Sequence, residues 1–113
     1  MYDAWPEPGG VLLYGIPNFK LSKEVLQDKL KYLEHLGVGF IGNTWIGKDV
    51  TIDDLFNTGF DAVFVAIGAG LGGTLAIQGE ELRGIHAATE FLVRGNLRPE
   101  QLPEHMREPL RIG

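Results

Sequence analysis

The stretch Phe60-Asp61-Ala62-Val63-Phe64-Val65-Ala66-Ile67 constrains this chain most, being almost continuously apolar and rich in β-branched and aromatic residues. A strand that is apolar at consecutive positions needs cover on both faces, as in a parallel sheet flanked by helices. The rest of the sequence supplies only part of that cover. Val38 to Ile46 reads as a second strand, with Phe40, Ile41, Trp45 and Ile46 as its bulk. Val11-Leu12-Leu13-Tyr14 reads as a short strand or an apolar loop. Strand–helix alternation predicts an α/β class with parallel pairing. A sheet with so few strands cannot cover both its faces and its edges, so the expectation is part of a larger fold.

Helix signals are clearest between the strands. Ser22 is a good N-cap, Leu26, Leu30 and Leu33 recur at helical spacing, and Val25, Tyr32 and Leu36 widen the stripe. Lys23, Asp28, Lys31 and Glu34 fall mostly on the other face, and Gly37 stands where a left-handed C-cap would. Thr51 and Asp54 form a capping-box pattern that opens a short helix, with Leu55 and Phe56 as its buried side and Gly59 as its end. Ala87 to Arg94 reads as another short helix with Phe91 and Leu92 inward. The sequence divides into a main domain over residues 1–97 and a Pro-rich tail or linker over 98–113, which holds Pro99, Pro103 and Pro109.

Composition narrows the function classes. The net charge of −5 gives nucleic acid or an anionic membrane surface poor electrostatic support, and no apolar run reaches the length of a membrane span. The absence of cysteine excludes disulfides, thiol catalysis and iron–sulfur ligation by this chain. It is compatible with a reducing cytoplasm. The single serine, Ser22, has no nucleophile-elbow context. No side chain here is redox-active, so any electron transfer would need a bound cofactor.

Gly68-x-Gly70-x-x-Gly73 follows the apolar strand and spells a dinucleotide fingerprint, with Glu90 about twenty residues on. The context is weak, because Gly79 interrupts the following segment and Glu90 falls inside a helical pattern. A glycine-rich strand exit is the simpler reading. His86 and Glu90 share helical spacing but lack a third metal ligand, so no metal site is assigned. His35 and His105 read as surface residues, Asp53-Asp54 as a helix start, and Trp5 and Trp45 as packing residues.

Several segments, taken in order, resemble one family. They are Asp3-Ala4-x-x-Glu7-Pro8-Gly9-Gly10, Tyr14-Gly15-Ile16-Pro17-Asn18-Phe19-Lys20-Leu21, Gly47-Lys48-Asp49-Val50-Thr51 and Asp61 to Leu71. Gly79-Glu80 and Glu90-Phe91-Leu92-x-Arg94-x-Asn96-Leu97 continue the match. The chain resembles the glutamate synthase small (β) subunit family of FAD- and NAD(P)-dependent oxidoreductases, together with its electron-transfer relatives. The resemblance implies an interior piece of the FAD-binding domain, with a partial Rossmann-like fold of short parallel strands and flanking helices. It implies FAD as the cofactor touched by this chain, with NADP and iron–sulfur clusters held elsewhere in the full-length family.

By the same resemblance, Asp3 matches an acid that bonds the adenosine ribose, with Asp in place of the usual Glu. Gly9, Gly10 and Val11 match a turn beside the flavin nucleotide, and Lys20 a basic residue near the cofactor. Ile46 ends a strand bordering the adenine. Ala66, Ile67 and Gly68 match the family's strand exit over the pyrophosphate, with Ile67 replacing a threonine. Gly72 and Gln78 stand where the family has prolines, so Gly73 completes the fingerprint by coincidence.

The function implied is to help position FAD for electron transfer from NADPH to the redox centres of a partner. Expected partners are the rest of the flavoprotein and an iron–sulfur or large glutamate synthase-type subunit, in the cytoplasm, with no nucleic acid and no membrane. The isolated chain is expected to bind FAD weakly or not at all and to have no catalytic residue of its own. Two other readings stay open: an interaction module that self-associates through open sheet edges, and a free-standing dinucleotide binder using Gly68, Gly70 and Gly73.

Overall fold

Ser22 opens the longest helix. In the computed structural model, which describes residues 1–70 and 72–110, its hydroxyl accepts from the Glu24 N–H. Helix α2 (Lys23–His35) follows and ends as the glycine predicts. Gly37, at φ +88°, donates to the Glu34 carbonyl, and Val38 donates to that of Leu33. That bond pair is a Schellman closure, which satisfies carbonyls the last turn leaves open. Along the predicted stripe only Leu26 is buried, with Leu30 packed beside it, while Val25, Tyr32 and Leu36 are exposed.

Three further helices are shorter. α1 (Gly10–Tyr14) occupies the segment read as a strand or apolar loop. α3 (Ile52–Asn57) begins with the predicted capping box, in which Thr51 and Asp54 satisfy each other's backbone N–H. Its buried residue is Leu55, and Phe56 remains half-exposed. α4 (Ala88–Asn96) turns Val93 inward, whereas Phe91 is exposed. Two 3-10 turns, Pro99–Gln101 and Glu104–Met106, follow.

The core gathers where α1, α2, α4 and the 3-10 turns meet. Leu13, Tyr14, Leu26, Val93, Leu97 and Leu102 form one cluster, with Trp5, Leu30 and Met106 packed against it. Trp5 stacks on Tyr14 at a ring separation of 4.3 Å. Polar contacts stitch the same region: the Asn96 amide donates to the Tyr14 carbonyl at 2.9 Å, and Gln101 donates to the Glu7 carboxylate at 3.2 Å. Arg94 pairs with Glu90 and donates to the Glu108 carbonyl, binding α4 to the segment after Met106.

The expected α/β fold is overturned. Among the described residues there are four α-helices, no β-strand and no sheet, so the short parallel strands of a partial Rossmann-like domain are absent. Pairing is reduced to two isolated parallel bridges, Tyr2 with Ile41 and Ile46 with Val50. The reason lies in how strands are stabilised. A strand has no hydrogen bonds of its own and exists only alongside an aligned neighbour. The strand-like hydrogen bonds of residues 38–46 run to the short segment Met1–Trp5: Ile41 donates to Met1 at 2.9 Å, Asp3 to Ile41 at 3.0 Å and Thr44 to Asp3 at 2.9 Å. Residues 60–67 meet no aligned neighbour, and from 61 to 74 no backbone hydrogen bond is formed among the described residues. High β-propensity alone leaves that segment irregular and exposed.

The outcome is an extended molecule. Its radius of gyration is 16.7 Å, against about 13 Å for a compact domain of this length.

Candidate functional site

The N-terminal segment is built around a turn that only glycine accommodates. Gly9 lies at φ +128° and Gly10 at φ +49°. A side chain on Gly9 would come within 3.0 Å of Leu13 and 3.1 Å of Leu26, whereas nothing stands within 4 Å of a Cβ at Gly10. The backbone at Gly10 is thus open to close approach, the property that a flat or anionic group needs in order to lie along a main chain. Val11, next in line, is exposed.

Behind this turn, Tyr14 locks the loop before α1. Its hydroxyl donates to the Glu7 carbonyl and accepts from the Glu7 N–H, both at 2.9 Å. Burial pushes the Tyr14 phenol up to about 12, opposed by the hydrogen bond to Glu7 and reinforced by the charges of Glu7 and Asp3. Lys23 closes the far end of α1: its ammonium donates to the Leu12 carbonyl at 2.8 Å and also to that of Ile16. Desolvation lowers the Lys23 pKa.

Asp3 is half-buried, and one of its carboxylate oxygens accepts from the Trp5 N–H at 3.0 Å. Its carbonyl accepts from Thr44, two residues before Ile46, whose own bridge is to Val50. Gly9, Gly10 and Val11 follow directly in the loop anchored by Trp5 and Tyr14. Lys20 sits apart in the exposed turn after Pro17, whose carbonyl accepts its N–H at 2.9 Å. Ala66, Ile67 and Gly68 are exposed, with Gly68 at φ +67° and open space where its Cβ would stand. Among the described residues no hydrogen bond joins them to Asp3 or to the Gly9–Gly10 turn.

The Gly68-x-Gly70-x-x-Gly73 pattern leads into no helix, and the next one begins only at Ala88. A phosphate site of the fingerprint kind needs a helix N-terminus immediately after its glycines. Glu80 instead turns back on this stretch, accepting from the Leu75 N–H at 3.0 Å and the Ala76 N–H at 2.9 Å.

Two residues that shape this region were not singled out from sequence. Gly42 lets two backbones touch, since a Cβ there would stand 2.4 Å from the Pro6 carbonyl oxygen and 2.7 Å from that of Trp5. Lys23 was placed on the solvated helix face, yet it caps α1. Neither role is local, and a single sequence carries no sign of a contact between residues so far apart. No helix among the described residues is long and apolar enough to cross a membrane.

Open backbone at Gly10 and the carboxylate of Asp3 are features that a bound group can use. Comparison with known proteins bears on which one. No family model matches the chain. It is 39% identical over 93 residues to the glutamate synthase (NADPH) small chain of Escherichia coli (strain K12), which covers 82% of this chain and 20% of that protein. It is 43% identical over 92 residues to the glutamate synthase (NADPH) small chain of Bacillus subtilis (strain 168), covering 81% and 18%. Similarity to AegA of Escherichia coli (strain K12), a protein with an oxidoreductase name, is 36% over 109 residues, covering 96% and 16%. The chain thus spans about a fifth or less of the length of these relatives.

Proposed function

We propose, from the premise that this chain belongs as a segment to the family of glutamate synthase small chains and related oxidoreductases, that it forms one flank of a flavin site. In the whole oxidoreductase the flavin would carry electrons from NADPH to the redox centres of a partner subunit. That chemistry is the cofactor's, and this chain supplies no catalytic residue. Its contribution is positional: Asp3 binds the adenosine ribose, and Gly9, Gly10 and Val11 let the backbone approach the nucleotide. Ile46 borders the adenine, Lys20 lies near the cofactor, and Ala66, Ile67 and Gly68 pass over the pyrophosphate. The partners are the remaining segments of the flavoprotein and an iron–sulfur or large glutamate synthase-type subunit, in the cytoplasm.

Sequence similarity over most of the chain carries this reading. The open backbone at Gly10 supports it, and Asp3 supplies an acid at the position where the resemblance asks for one. The exposed Ala66–Gly68 stretch gives a physical reason for weak or absent flavin binding by the isolated chain: among the described residues no backbone hydrogen bond holds that side of the site in place.

A chimera tests it. The matching 93 residues of the Escherichia coli small chain are replaced by this segment, and the purified protein is examined for bound flavin. Retained flavin absorbance is expected, with lower flavin occupancy in the Asp3→Ala chimera. A folded chimera devoid of flavin, or one indifferent to Asp3→Ala and Gly10→Val alike, overturns the assignment.

A further inference from the structure

Residues 98–108 follow α4 and read from sequence as part of a tail or linker, yet they are built into the core. Leu102 is 5% exposed and belongs to the cluster that holds Tyr14, with Met106 packed against it. The segment is also tied to itself and to α4. The Arg98 N–H donates to the Gln101 side-chain oxygen at 3.1 Å, and the Gln101 N–H to the Arg98 carbonyl at 2.9 Å. The Arg107 guanidinium donates to the Leu102 carbonyl at 2.9 Å, and Arg94 reaches the Glu108 carbonyl. Pro99 and Pro103 restrict the unfolded chain, so less conformational entropy is lost when this stretch is ordered.

Its inner side meets the loop that leads to Gly9. The Gln101 amide nitrogen donates to the Glu7 carboxylate at 3.2 Å, across 94 positions of sequence. The Tyr14 hydroxyl holds the N–H and the carbonyl of the same Glu7. Backbone and side chain of Glu7 are thus gripped from two directions, just before the glycine turn. Tyr14 is fixed in its own right, since Asn96 donates to its carbonyl and its ring lies in the cluster that Leu97 and Leu102 complete. Gly9 rests against Leu13 and Leu26 of that cluster. A binding backbone works best when the shell behind it is locked by packing and hydrogen bonds, and this shell includes residues 98–108.

We infer that residues 98–108 are a clasp on the Glu7–Gly10 loop, with Gln101 and Leu102 as positioning residues for the turn at Gly9 and Gly10. They act through Glu7 and Tyr14 and touch no ligand. The inference rests on the flavin reading only for the use to which the turn is put. By reciprocity, whatever orders the turn also steadies the clasp.

Amide hydrogen exchange of the whole 113-residue chain, without flavin, tests the coupling. The reporters are the Glu7 and Leu12 amides, bonded to the Tyr14 hydroxyl and the Gly9 carbonyl. Gln101→Ala should speed their exchange about threefold, the scale of one hydrogen bond, and Leu102→Ala by more than about tenfold. The Leu55 and Thr58 amides at α3, whose buried leucine lies outside the cluster, should keep their rates in Gln101→Ala. Gln101→Glu sets two carboxylates together and should also speed the reporters. Adding Glu7→Gln to it reverses donor and acceptor and should return them close to the wild-type rate, a rescue that general loss of stability does not give. Reporters already unprotected in the wild type overturn the proposal. So do reporters unmoved by Gln101→Ala, a double variant without rescue, or equal acceleration at α3 in Gln101→Ala. A chimera devoid of flavin would leave every one of these results standing, so the two assignments fail separately.

Discussion

The region around Tyr14 and the stretch from Phe60 to Ala87 hold similar kinds of side chain and reach opposite ends. Around Tyr14, apolar residues from α1, α2, α4 and the turns after Leu97 find one another, and a ring stack and several polar contacts close over them. From Phe60 to Ile67, residues at least as hydrophobic lie largely in water. The difference is one of partners rather than of composition. A helix satisfies its own backbone and needs cover on one stripe only, so a few helices can bury each other within a short chain. A two-faced strand needs an aligned neighbour for its backbone and a layer on each side, which this chain does not bring to residues 60–67.

The contrast can be broken by substitution, most forcefully within the core. Leu26→Ala should cost about 3 kcal/mol by urea unfolding, as a buried leucine does when truncated. A loss as small as that expected for an exposed surface site would mean that this cluster does not hold the molecule together.

Gly42→Ala comes next, at about 2 kcal/mol, because the added methyl meets the carbonyls of Trp5 and Pro6 and must push the two backbones apart. The same change at Gly39, where a Cβ meets nothing within 4 Å, should be close to neutral in the same assay.

A smaller effect sharpens the electrostatic side. Tyr14→Phe removes the two hydrogen bonds to Glu7 and should cost about 1 kcal/mol near neutral pH. Because the folded state raises the Tyr14 pKa from 10.0 to about 12, its contribution is fully present below pH 10 and is lost as the pH rises through 12. Unfolding followed against pH should show that alkaline loss in the wild type. In Tyr14→Phe it should be reduced, and an identical alkaline limb in both proteins would remove Tyr14 from the account.

Legibility followed the range of the interaction. The Ser22 cap, the Gly37 closure and the Thr51–Asp54 box were readable because every partner lies within a few residues. The strand expected at 60–67 does not form for the converse reason, since β-propensity describes a residue's fit to a sheet and not the presence of one. In the candidate site, the resemblance singled out Asp3, Gly9, Gly10, Val11 and Ile46, whereas Gly42 and Lys23 carried no local sign.

By itself, then, the sequence determined where α2 and α3 start and stop, that the chain carries no thiol or redox chemistry of its own, and which family its motifs resemble. Tertiary structure decided which helical stripe residues are buried, that residues 10–14 coil rather than extend, and that Thr44 comes to pair with Asp3. It also left the most strand-like segment of the chain unpaired. Capping bonds and helix turns close within one segment. Burial and strand pairing depend on what the rest of the molecule places opposite.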